Sequence, residues 1–181
     1  MTVMKLSKLL FALLFLSIVS AVQAQEELPV KPFGSFWKVR SNGEHAYGYD
    51  VDIWKQGDNF YGLISAHEGL IGDPPTGLLE NVKYDPRTKK FSFRAKLSLG
   101  DVPGKKDDEW VPSHDVFQFE GTLTAARLTG VLRIIDDSGT QKKRIDLPRS
   151  KQWSADMEKY TSFKDWKAFA DDILSFRGPK W

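Results

Sequence analysis

The sequence contains no cysteine, and that absence closes off several chemistries at once. A disulfide staple, a thiolate zinc site, a cysteine nucleophile and a lipidated cysteine anchor all need a residue that is missing here. The chain also lacks an Asn-x-Ser/Thr sequon, a His-x-x-x-His pair, a Gly-x-Ser-x-Gly elbow and a phosphate-binding glycine loop. The common signatures of hydrolases, zinc enzymes and nucleotide enzymes are therefore missing, and we expect a non-enzymatic protein with no cofactor.

Long apolar runs are scarce as well. Leu9 to Val19 is apolar apart from Ser17, which is too short for a comfortable bilayer span. Lys5 and Lys8 precede it and Val22-Gln23-Ala24 follows it, so residues 1–24 read as a cleavable signal peptide. With no cysteine and no sequon, the expectation is a bacterial periplasmic or secreted protein with no stable membrane insertion after cleavage. Removing residues 1–24 takes the basic count from 26 to 24, equal to the acidic count of 24. A neutral mature chain argues against nucleic acid as a partner, and the run Lys142-Lys143-Arg144 reads as a solvated strand face.

Apolar side chains are plentiful: the 181 residues are 41% hydrophobic and 13% aromatic, enough for one packed domain. From Gly34 to Leu147 the pattern alternates with a period of two. It is clearest in Phe91–Ser98, where Phe91, Phe93, Ala95 and Leu97 fall on one face and Ser92, Arg94, Lys96 and Ser98 on the other. Similar segments are Ser35–Arg40, Tyr47–Lys55, Phe60–Ala66, Leu78–Tyr84, Val116–Leu123, Leu128–Asp136 and Gln141–Leu147, making eight strands. Turn residues separate them at Gly57-Asp58-Asn59, Asp85-Pro86-Arg87-Thr88 and Asp137-Ser138-Gly139.

Beyond Ser162 the period changes. Phe163, Trp166, Phe169, Ala170, Ile173 and Phe176 make one apolar stripe of a helix over 162–177, started by Ser162 with Asp165 and stopped by Gly178-Pro179. The expected layout is a signal peptide at 1–24, a flexible segment at 25–33, a β-barrel at 34–147, a connection at 148–161, and a helix packed on the barrel. The fold class is mainly β: an eight-stranded antiparallel up-and-down barrel with one C-terminal amphipathic helix, a two-sheet sandwich being the alternative.

In such a meander the connections Ser41–Ala46, His67–Gly77 and Gly100–Asp115 emerge at one end and frame an opening. His45, His67 and His114 all belong to that end, making them the candidates for a metal site; no spacing motif ties them together. Trp110 stands in the charged loop beside Lys105–Glu109, as a pin holding the loop down or as a lid. Tyr47, Tyr49, Phe93 and Phe119 are the candidate walls of an interior that is either filled or hollow. Asp50 and Asp52 alternate with the apolar positions of their strand and face outward, as a solvated face or an acid pair.

An exported chain with Gly34-Ser35-Phe36-Trp37 at its first strand, eight strands and a following helix resembles the lipocalin and wider calycin group. There a Gly-x-Trp opens the barrel and a basic residue near the last strand crosses the Trp. Here the spacing is Gly-x-x-Trp, and Arg144 or Arg149 would take the basic role. Val51-Asp52-Ile53-Trp54 and Phe60-Tyr61-Gly62-Leu63-Ile64 also make it similar to small exported bacterial β-barrel proteins of unassigned function. The resemblance implies binding of small apolar ligands or envelope partners. We expect binding of a small hydrophobic or amphipathic molecule at the open end, or alternatively an envelope protein acting on another protein through its loops.

Overall fold

A computed structural model describes residues 28–70, 74–97, 101–103, 110–112, 114–151 and 160–175. The expected signal peptide, the loop Lys105–Glu109 and Phe176 lie outside the described residues. The strands in chain order are β1 (Lys31–Asn42), β2 (His45–Gln56), β3 (Asn59–Leu70), β4 (Thr76–Tyr84), β5 (Lys90–Lys96), β6 (Asp101–Pro103), β7 (Trp110–Pro112), β8 (Val116–Leu123), β9 (Arg127–Asp136) and β10 (Gly139–Pro148). One helix, α1 (Phe163–Ser175), follows.

Eight strands form a single antiparallel sheet in the order β1-β2-β3-β4-β5-β8-β9-β10, while β6 and β7 pair with each other in a separate ribbon. The sheet curls into a half-barrel, because each antiparallel neighbour is rotated in the same sense and the inner side chains need covering. Its edges meet at one place: Phe36 bridges Arg149, and the Ser150 N–H donates to the Ser35 carbonyl at 2.8 Å. Among the described residues no longer ladder joins β1 to β10, so the curl is pinned at a point.

Two of the expected long connections are shorter than the polar residues suggested. Strands β1 and β2 run on to Asn42 and His45, which pair across a two-residue turn. Gly43 makes this possible with a φ of 63°, a left-handed value that glycine adopts freely. Strand β3 continues past His67 to Leu70. His45 and His67 are thus strand residues, and the end at which they sit is framed by two tight turns, at Gly43-Glu44 and Asp137-Ser138, as well as by longer connections.

Two apolar cores hold the molecule. The inner one is aromatic and closely packed: Phe93 and Phe119 stack at 5.1 Å, and Tyr49 meets Phe117 edge-on at 6.0 Å. The second lies on the outer face, where α1 docks. Trp166 packs on Trp54 at 5.7 Å and on Tyr61 at 5.2 Å, and Ala170 is wholly buried beside them. The helix starts where its cap predicts, with the Asp165 N–H donating to the Ser162 hydroxyl at 3.2 Å.

Candidate functional site

Alternation along β2 sends Tyr49, Val51 and Ile53 inward and leaves Asp50 and Asp52 on the outer face. There the register places Trp37 of β1 opposite Asp50 and Ser35 opposite Asp52. On the other flank, β3 places Ser65 opposite Asp50 and Leu63 opposite Asp52. Residues directly opposite share a face, so the arrangement converges two carboxylates, two hydroxyls and an indole onto one face. His67 joins from one pleat further along β3, its Nε2 lying 2.6 Å from Asp50 Oδ2.

These side chains line a cleft of about 380 Å³ whose walls are Ser35, Trp37, Val39, Asp50, Asp52, His67 and Ser150. Its lining contains two acids and no lysine or arginine. Trp37 stays 41% exposed, a large apolar surface left in water beside charged groups. Ser65, opposite Asp50, is buried, and its hydroxyl is bonded to that of Thr76 at 2.8 Å. The Ser65 hydroxyl is thus engaged with Thr76 rather than with the His67–Asp50 pair.

The two acids differ in surroundings. Asp52 stands between Asp50 and Trp54 on its own strand, beside Leu63, and both Trp54 and Leu63 belong to the core under α1. Burial there disfavours the carboxylate and raises its pKa from 3.8 to about 6. A hydrogen bond from the Ser35 side chain opposes the rise and the charge of Asp50 adds to it.

The residues expected to form the open-end site divide differently. Tyr49, Phe93 and Phe119 are 8%, 4% and 1% exposed and belong to the inner core. The cleft described above has none of them in its lining. Tyr47 alone is open, at 52% exposure, with its ring stacked on that of His45. Trp110 begins β7 opposite Pro103, and its side chain lies outside the described part of the structure. The three histidines share one end of the sheet without converging. His45 is stacked on Tyr47, His67 is bonded to Asp50 and His114 is exposed before β8. Among the described residues no group of three or more potential metal ligands forms.

Of the two basic residues named for the Trp37 role, Arg149 bridges Phe36, the neighbour of Trp37. Arg149 donates to the Ala125 carbonyl at 3.3 Å, and Arg144 is exposed on β10. No family model, curated protein or solved structure matches the chain.

Asp50 and Asp52 were legible as an outward pair, but their neighbours were not. One signal did carry the pairing with His67. A two-residue turn at Gly57-Asp58 closes Gln56 on Asn59 and, counted back, sets His67 opposite Gly48, one pleat from Asp50.

Proposed function

We propose that this is an exported, non-catalytic protein that binds a small amphipathic molecule carrying a cationic group, and that the ligand lies in the outer-face cleft of β1–β3 rather than in the barrel interior. The observation that carries this reading is the exposed indole of Trp37 directly opposite Asp50. An ammonium or guanidinium group is attracted both by carboxylates and by the face of a tryptophan ring. The apolar remainder of the ligand covers Trp37 and Val39. The inner core favours this placement, since Phe93 and Phe119 stack on each other and Tyr49 packs on Phe117, all buried. The export reading rests on residues 1–24.

Titration of the mature protein with hexylamine, hexanol and hexanoate at pH 8 tests the reading. Saturable binding of the amine is expected, with hexanol and hexanoate at least about tenfold weaker, a difference of about 1.4 kcal/mol. Trp37→Ala and Asp50→Asn should each reduce amine affinity by a similar factor. Equal binding of all three probes, or amine binding indifferent to both substitutions, would remove the cleft as the site.

A further inference from the structure

We propose that the free edge of β10 is a docking surface for an extended acidic segment of a partner protein, which adds to the sheet as another antiparallel strand. On one side β10 is fully paired with β9, from Gly139 opposite Asp136 to Pro148 opposite Arg127. On its other side no strand among the described residues pairs with it. The pin to β1 lies beyond the end of the strand, at Phe36 and Arg149, so the stretch Gly139–Arg144 is the part farthest from it. All six of these residues are exposed. A sheet edge presents backbone N–H and carbonyl groups in the spacing that another strand requires, and this is the basis of recognition by strand addition.

Charge selects the occupant. Lys142 and Arg144 project from the outer face of β10, and Arg133 of β9 stands opposite Lys142. Lys143 turns to the inner face and donates to the Tyr49 hydroxyl at 3.0 Å. Across the gap, the upper part of β1 adds Lys38 and Arg40, both exposed. The acids of the β9–β10 hairpin sit at its ends. Asp136 is bonded to Ser138 in the turn and Asp137 lies beside it, while Asp146 is held by Arg127 at 2.6 Å near the pin. The middle of the edge is therefore basic on both faces.

The same charges bear on self-association. Two copies paired antiparallel through this edge and centred on Lys143 would set Lys142 against Arg144 of the second copy, and like charges directly opposite are destabilising. An incoming strand with acidic residues at every second position meets Lys142 and Arg144 on one face instead. The edge thus resists its own kind while remaining open to an acidic strand.

The probe is an acetylated ten-residue peptide alternating glutamate and threonine, titrated into the full mature chain and followed by fluorescence anisotropy and amide hydrogen exchange. Saturable binding is expected, with slowed exchange confined to 139–144 and the facing part of β1. Lys142→Glu with Arg144→Glu should weaken it by about tenfold or more. N-methylation of alternate peptide amides should abolish it, because strand addition needs those donors. A lysine–threonine peptide should bind the charge-reversed variant in its place, which separates lost recognition from lost folding. Equal binding of the N-methylated peptide, protection at the Trp37 cleft instead of β10, or binding untouched by charge reversal would each overturn the proposal. So would a lysine–threonine peptide that failed to bind a folded charge-reversed variant.

Discussion

Asp50 and Asp52 stand two residues apart on the same face of β2, and only Asp50 has a histidine on its carboxylate, at 2.6 Å. Asp52 lies between Trp54 on its own strand and Ser35 of β1, and its carboxyl is pushed up to about 6 by the loss of solvent. The Asp52 carboxyl thus keeps its proton above the usual carboxylate range, for a reason that lies in what packs beside it.

That difference has a measurable sign. In the unfolded chain Asp52 ionises near 3.8, and in the folded protein near 6. The folded state holds a proton that the unfolded state has released, so stability falls as pH rises from about 4 to about 6 and the loss is complete above that. The gap corresponds to at most about 3 kcal/mol. Asp52→Asn should therefore raise unfolding free energy at pH 8 by up to about 3 kcal/mol and leave it nearly unchanged below pH 4. Urea denaturation at the two pH values measures this directly. A variant less stable than the parent at pH 8 would mean that the ionised carboxylate is held by bonds stronger than its desolvation.

The strands themselves were open to reading because each carries its own alternation. Phe91, Phe93 and Ala95 are buried while Ser92, Arg94 and Lys96 are half-buried, as a period of two requires. Trp54 shows where that logic stops. It lies on the outer face with Asp50 and Asp52, yet it is 1% exposed, because a helix more than a hundred residues later covers it. The stripe on that helix was visible and its need for a surface followed, but periodicity does not say which strands receive it. The interior was undecidable for a related reason: whether aromatics fill a barrel or line it depends on side-chain directions and on closure, which here is a single bridge.

The helix offers a second test, since it links stability to the site. Trp166 is 1% exposed and contacts Trp54, Tyr61 and Phe163, so Trp166→Ala should cost about 3–5 kcal/mol of global or local stability. The same substitution should admit water beside Asp52 and lower its carboxyl pKa from about 6 toward 3.8, read by carbon-detected NMR titration. If the helix loosens, seen as faster amide exchange over α1, while the Asp52 pKa does not move, the desolvation comes from the sheet alone.

The inner core carries the last prediction. Gly121 of β8 and Gly130 of β9 are paired, and the Phe119 ring lies over both. A Cβ built on Gly121 would stand 2.1 Å from the Thr129 carbonyl oxygen and 2.6 Å from the Phe119 ring. The ring could turn, but the carbonyl belongs to the ladder and yields only if the strands separate. Gly121→Ala should therefore destabilise by about 3 kcal/mol, the upper range for overpacking. Gly43→Ala, with φ of 63° and nothing within 4 Å of the new methyl group, should cost only the left-handed strain of about 1–2 kcal/mol. Adding Phe119→Leu to Gly121→Ala should fail to restore stability, because the nearer obstacle is backbone. Recovery in that double variant, measured by thermal unfolding, would place the obstruction in the ring and leave the close approach of β8 and β9 unsupported.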